Sequence, residues 1–252
     1  MSQSFKKLYT NKKDFIAYKE QIYHKNKKSL LWFGGLNSDM SGTKAQYLSS
    51  FSKKNRINFY RFDYFGHGRS SKEFNNCVIS DWLNNGIKIM DQVIDNEVIL
   101  IGSSMGGWIS TLVSLKRRTK VKGLILIAPA LDMTENLMWK KFSPEEKNLI
   151  KTIGYIERYA EDYDSSYRIT KKLIDDGRKH LILKDTIDLN VPIRIFHGIK
   201  DEAVPWELSL DLMSSFSSDD INVSFNKNGN HSLSSDSDLK SLGDAILDVY
   251  NI

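Results

Sequence analysis

The chain has 252 residues, a length that suits one large α/β domain and can bury a sizeable core without disulfides. Its single cysteine, Cys77, excludes an internal disulfide and fits a reducing compartment. The formal charge of +5 comes with lysines scattered over predicted surface turns and no single basic helix, so the sequence does not indicate a nucleic-acid partner.

The sequence contains no signal for a secretory route or a membrane. The first nine residues carry no apolar run of the kind found in signal peptides. Nowhere do eighteen apolar residues follow one another, as a membrane span would require. We therefore expect a cytoplasmic protein without a membrane span.

Apolar runs that predict β-strands recur along the chain, and helical patterns lie between several of them, for example at 45–51 and 82–90. Four runs, which begin at Leu30, Val98, Leu124 and Ile193, are almost continuously apolar, as is typical of parallel strands covered on both faces. The alternation predicts an α/β fold, with a mainly parallel central sheet and helices on both faces. The strand-like runs are 15–18, 29–33, 57–62, 98–101, 124–127, 193–196 and 221–225.

One connection in this pattern is abnormally long. About sixty residues separate the strand that ends near Ala128 from the strand that begins at Ile193, too many for an ordinary crossover. A capping box with proline at the first helical position, at 143–146, precedes apolar residues at helical spacing. We therefore interpret the chain as a single domain, 1–252, with 132–187 inserted as a helical lid. The apolar positions that predict its helices are Leu149, Ile150, Ile153 and Ile156, and then Tyr167, Ile169, Leu173 and Ile174.

Large apolar side chains are concentrated at the beginning of this segment. So many beside a predicted active site suit the wall of a pocket for a hydrophobic substrate, and we expect Met133, Met138 and Trp139 to contact it. The alternative is that these side chains pack on the sheet. Leu137 and Phe142 complete the group.

The most informative motif is a G-x-S-x-G turn at 102–106, directly after the apolar run that begins at Val98. A helical pattern follows it, so a strand breaks into a sharp turn and then into a helix. Such a turn strains the central residue and holds its side chain out at the strand tip. The sequence therefore predicts that Ser104 is a nucleophile, against the alternative of a plain glycine-rich turn.

A serine nucleophile needs a base and a carboxylate that orients the base. His231 follows the last predicted strand and is the best placed of the five histidines. Asp201 follows the penultimate strand and is our predicted acid, with Asp132 as its rival and Glu202 as a weaker one. The order Ser, Asp, His along the chain is that of α/β-hydrolases.

An oxyanion hole needs two backbone N–H donors. We expect one from Met105, which follows the nucleophile, and the other from Leu36, in the glycine-containing loop after the strand that begins at Leu30. The sequence has no phosphate-binding loop of the G-x-x-x-x-G-K-[ST] type, no H-E-x-x-H and no Cys/His cluster. We therefore predict no cofactor and no metal.

Over nearly its whole length the chain resembles the α/β-hydrolase superfamily, and within it a group of mitochondrial thioesterases and acyl-glucuronide esterases with their bacterial relatives. The stretches that carry this resemblance are 40–45, 61–64, 102–108 and 192–206. It implies hydrolysis of acyl thioesters and activated esters by Ser104, Asp201 and His231. The loop Gly34-Gly35-Leu36-Asn37 departs from that group, which has a proline and a tyrosine there, and most apolar residues of the lid differ.

The predicted function is that of a serine esterase or thioesterase acting on a small-molecule or acyl-thioester substrate through an acyl-enzyme. Two alternatives remain: a serine peptidase of the same fold, and a non-catalytic binding protein that retains the hydrolase fold. The richness of the chain in asparagine and lysine suggests an AT-rich bacterial genome.

Overall fold

The computed structural model describes residues 4–160 and 165–252. The strands are β1 Lys6–Tyr9, β2 Phe15–Gln21, β3 Ser29–Phe33, β4 Asn58–Phe62, β5 Val98–Ser103, β6 Val121–Ile127, β7 Tyr155–Ala160, β8 Ser165–Thr170, β9 Ile193–Gly198 and β10 Ile221–Asn226. The α-helices are α1 Thr43–Asn55, α2 Ile79–Gln92, α3 Met105–Lys116, α4 Pro144–Thr152, α5 Lys171–Gly177, α6 Glu207–Ser215 and α7 Asp236–Asn251. Short 3-10 turns lie at Phe74–Asn76, Trp139–Lys141 and Arg178–His180, and a π-helical turn at Thr134–Met138.

The central sheet has eight strands in the order β1-β2-β4-β3-β5-β6-β9-β10. The strands β1 and β2 are antiparallel to their neighbours, and every pairing from β4 through β10 is parallel. The predicted mainly parallel α/β sheet is therefore confirmed. Because the carboxyl ends of the parallel strands share one edge, the loops that leave them are brought together there.

Two apolar layers cover the sheet because successive side chains of a strand point to opposite faces. Leu31 and Phe33 of β3 belong to the layer that α2 and α3 cover. Leu30 and Trp32 belong to the other layer, under α1 and α7. Every residue of β3 and β5 is buried, which explains their unbroken apolar runs.

The segment 132–187 is not helical throughout, and here the sequence-based expectation is corrected. The capping box at its first α-helix is present, since Ser143 Oγ accepts the Glu146 N–H at 3.1 Å. Tyr167 and Ile169, however, lie on β8, which forms an antiparallel pair with β7. Buried Ile169 is paired with buried Ile156 of β7, so the apolar residues here follow the period of two of a strand and not the spacing of a helix.

The strand β1 was not predicted because it is only four residues long and mostly exposed. Within residues 4–160 and 165–252, no helix is long and apolar enough to cross a membrane.

Candidate active site

Ser104 lies between the end of β5 and the first residue of α3, with φ 54° and ψ −120°. A positive φ is strained for a residue with a Cβ, so close packing must hold it. A Cβ on Gly106 would lie 2.2 Å from the Phe33 carbonyl oxygen, and one on Gly102 would lie 2.3 Å from that of Gly106. Glycine at these two positions therefore lets strand and helix approach closely enough to hold the turn.

Ser104, His231 and Asp201 form a hydrogen-bonded chain. His231 lies in the loop between β10 and α7, and its Nε2 is 3.0 Å from Ser104 Oγ. Its Nδ1 is 2.7 Å from Asp201 Oδ2. An ionised carboxylate only accepts, so Nδ1 carries the hydrogen and Nε2 is free to accept the serine proton. The arrangement can transfer a proton from serine to histidine.

The Asp201 carboxylate is fully buried and has four donors. Oδ1 accepts the N–H groups of Ala203 and Val204 at 2.9 and 2.8 Å, and Oδ2 faces both His231 and His197. Burial alone would raise the pKa of this carboxyl, but hydrogen bonds from His197, His231 and Val204 hold it well below its usual range. The carboxylate therefore stays ionised.

The rival acid, Asp132, has a different role. Its carboxylate accepts the N–H groups of Ile182 and Leu183, at 3.0 Å each, and so ties the end of the segment 132–187 to its beginning. Burial raises the pKa of Asp132, and these two donors offset part of that effect. None of its hydrogen bonds within the described residues goes to His231, and Glu202 is exposed.

The two predicted oxyanion donors lie on segments that meet at Ser104. Met105 is the first residue of α3, where an N–H has no acceptor inside the helix. Leu36 is in the loop after β3, and that loop passes so near that a Cβ on Gly35 would lie 3.5 Å from Ser104 Cβ. The oxyanion role of Leu36 and Met105 stays a prediction.

His67 supports the same loop, a role that the sequence-based interpretation missed. Its Nδ1 is 3.1 Å from the Phe65 carbonyl oxygen, which only accepts, so Nδ1 carries the hydrogen. Its Nε2 then accepts the N–H of Asn37, at 3.2 Å, where the backbone has φ 59°. Burial lowers the pKa of His67 to about 4, which keeps the ring neutral. No local pattern could reveal this contact, because its partners are thirty residues apart.

A cleft of about 980 Å³ opens over Ser104 and His231. Its apolar lining comes from Trp32, Leu36 and Tyr167, and its charged lining from Asp39, Lys44, Lys200 and Glu202. Burial lowers the pKa of Lys44 to about 8.

The structure does not bring the predicted substrate wall to this cleft. Met133 is buried in the core layer of α2 and α3, and Met138 packs against that layer. Trp139 faces the guanidinium of Arg178, 4.8 Å from its ring centre, and the ring of Phe142. The expectation for Met133, Met138 and Trp139 is therefore corrected, since packing within the inserted segment uses their apolar surface. Of the described residues of this segment, Tyr167 reaches the cleft.

Known proteins resemble this chain over most of its length. The family described as serine aminopeptidase, S33, matches residues 24–238. Palmitoyl-protein thioesterase ABHD10, mitochondrial, from Bos taurus is 30% identical over 225 residues, which cover 88% of this chain and 72% of the bovine protein. The protein of the same name from Mus musculus is 32% identical over 212 residues, covering 83% of this chain and 71% of its own length.

Solved structures are also similar to this chain over nearly its whole length. Alpha/beta hydrolase domain-containing protein 10 from mouse superposes with a TM-score of 0.89 at 30% identity, over 99% of both chains. A crystal structure from Agrobacterium vitis S4 superposes with a TM-score of 0.92 at 30% identity, over 98% of this chain and 97% of the other.

Proposed function

Because this chain belongs to the α/β-hydrolase superfamily, in the family described as serine aminopeptidase, S33, we propose that it is a serine hydrolase that cleaves carboxylic esters or acyl thioesters. The observation that carries the proposal is the chain of hydrogen bonds from Ser104 through His231 to Asp201. The thioesterase name of the relatives supports the choice of acyl substrates.

In the proposed mechanism, Ser104 Oγ attacks the acyl carbon while His231 Nε2 takes the serine proton. Asp201 stabilises the imidazolium that forms, and it keeps the ring in the required orientation. The N–H groups of Leu36 and Met105 bind the oxyanion of the tetrahedral intermediate. His231 then gives its proton to the departing alcohol or thiol, which leaves an acyl group on Ser104. Water, deprotonated by His231, releases the acid, and no cofactor takes part.

An aminopeptidase is a second candidate. Asp39 and Glu202 line the cleft at Ser104, and carboxylates can bind a protonated amino terminus. The description of the matching family points the same way. The two candidates share the nucleophile and differ in the leaving group.

Labelling with a fluorophosphonate probe, followed by a substrate panel, tests the proposal. We expect one covalent adduct, mapped to Ser104 by peptide mass spectrometry, and turnover of p-nitrophenyl esters and acyl thioesters. Aminoacyl p-nitroanilides should be poor substrates, and fast turnover of these alone would favour the aminopeptidase. An unlabelled, inactive protein would identify a non-catalytic member of the fold.

We also propose that 132–187 acts as a substrate lid, with Tyr167 as its contact to the acyl group. Tyr167→Ala enlarges the cleft, and a methylene in an apolar pocket is worth about 1–3 kcal/mol in discrimination. We expect preference to move toward longer acyl chains, with acetyl-ester turnover nearly unchanged, measured as kcat/KM over a series of chain lengths. Trp139→Ala is the matched control and should leave the preference unchanged. If Trp139→Ala alone shifts the preference, the substrate contacts the apolar group around Trp139 that the sequence predicts, and not Tyr167.

The cytoplasmic location and bacterial origin indicated by the sequence stay predictions. The mammalian relatives are named as mitochondrial, and cell fractionation with an antibody against this chain would test its own location.

A further inference from the structure

A second histidine contacts the Asp201 carboxylate. His197 lies near the end of β9 and has no exposed surface. Its Nε2 is 3.1 Å from Asp201 Oδ2, the same oxygen that receives the hydrogen bond from His231. The carboxylate oxygen is therefore shared by two imidazole rings.

The surroundings of His197 assign its hydrogen atoms. Nε2 also lies 3.1 Å from the carbonyl oxygen of Val204, which can only accept, so Nε2 carries a hydrogen and shares it between Val204 and Asp201. Nδ1 lies 2.6 Å from Ser209 Oγ on α6. A serine hydroxyl can donate there, so a neutral ring satisfies every contact. The hydrogen bonds then run from Ser209 to His197 and from His197 to Asp201.

On the basis of the proposed function, we propose that His197 is a positioning residue: through a second hydrogen bond to Asp201 Oδ2 it holds this oxygen toward His231 and withdraws part of its charge. His197 does not touch the substrate or Ser104 Oγ. It acts only through Asp201.

The effect on His231 has a definite sign. A carboxylate oxygen that accepts a second hydrogen bond has less charge available for the first, so it stabilises the imidazolium form of His231 less. The other charged groups around the cleft are Lys44 on α1, Asp39 before it, and Lys200 and Glu202 after β9. Variants at His197 leave all four in place. Loss of the His197 N–H should therefore strengthen the hydrogen bond from His231 to Asp201 and stabilise the imidazolium form.

Two variants of His197 separate this role from simple packing. His197→Leu removes the donor, whereas the side-chain amide of His197→Gln can present an N–H near the Nε2 position. For His197→Leu we expect the acidic limb of the pH profile of kcat/KM to move upward by about half a pH unit or more, with a lower kcat. His197→Gln should return the limb toward the wild-type position. A merely structural role predicts reduced stability and activity in His197→Leu with an unmoved limb.

Ser209→Ala provides a test that does not depend on the folding of His197→Leu. Without the hydroxyl donor to Nδ1, His197 is a weaker donor at Nε2, so the limb should shift in the same direction by a smaller amount. Ser114→Ala is the matched control. It removes another buried helical hydroxyl, bonded to the Ser110 carbonyl oxygen in α3, and should not move the limb.

The NMR resonance of the His231 Nδ1 proton reports the strength of its hydrogen bond to Asp201 without any turnover. An unchanged or upfield resonance in both His197→Leu and Ser209→Ala overturns the positioning role, even if the protein hydrolyses esters normally. A downfield shift in a protein that hydrolyses nothing would support the positioning role and reject the proposed function.

Discussion

Ser104→Ala is expected to lower kcat/KM for a p-nitrophenyl ester by about 10⁴-fold to 10⁶-fold, because it removes the hydroxyl on which the proposed acyl-enzyme forms. Alanine fits the backbone as serine does and removes one hydroxyl, so the variant should fold. Its melting temperature should stay close to that of the wild type. Stopped assays over hours would measure the residual rate, and the fluorophosphonate adduct should disappear.

The neighbouring hydroxyl offers a matched control. Ser103 is the last residue of β5 and is buried, so Ser103→Ala changes the same turn without removing the proposed nucleophile. Its activity should lie within tenfold of wild type. If Ser104→Ala keeps a comparable activity, the nucleophile is elsewhere and the proposed mechanism is wrong.

The central sheet was predictable because strands buried on both faces have continuous apolar runs in the sequence. All residues of β3 and β5 are buried, so their runs contain no polar alternation that could be mistaken for a helix. The G-x-S-x-G turn was predictable for a related reason. Its glycines are required by backbone contacts inside the turn, and a purely local requirement leaves a local pattern.

The inserted segment was harder to predict because its elements are half-exposed. The strand β8 carries Arg168, whose guanidinium bonds Glu157 across the pair and lies 4.1 Å from the ring centre of Tyr155. These contacts join residues that are eleven or more positions apart. Seen along the chain alone, Tyr167 and Ile169 fit a continuation of the helix that contains Leu173. Pairing with β7 makes this stretch a strand and not a helix, and a local sequence pattern does not show that pairing.

The choice between Asp132 and Asp201 as the acid that orients His231 also depends on tertiary contacts. Asp132 and Asp201 both follow parallel strands and therefore lie near the same edge of the sheet. What separates them is the set of donors around each carboxylate. Asp132 is occupied by two backbone N–H groups from the end of the inserted segment, whereas Asp201 keeps one oxygen for histidine rings. The sequence shows the carboxylates but not their donors.

Asp201→Asn should consequently impair catalysis, whereas Asp132→Asn should impair stability. In Asp201→Asn the N–H groups of Ala203 and Val204 hold the amide oxygen at the Oδ1 position, so the amide nitrogen faces the N–H groups of His231 and His197. With the amide in this orientation, His231 can bond it only through its other tautomer, which leaves Nε2 protonated and unable to accept the proton of Ser104. We expect kcat to fall by roughly 10⁴-fold, with a smaller change in KM.

For Asp132→Asn we expect kcat within a few-fold of wild type and a lower melting temperature. The amide keeps one oxygen for the N–H groups of Ile182 and Leu183 but turns an NH2 donor toward one of them in place of the second carboxylate oxygen, which weakens the hydrogen bonds of this buried site at a cost of about 1–3 kcal/mol. We would measure kcat and the melting temperature for both variants, so that each variant serves as the control for the other. If Asp132→Asn loses catalysis while Asp201→Asn keeps it, the acid has been assigned to the wrong strand. If both keep it, His231 functions without a carboxylate partner, and the role proposed for His197 has no physical basis.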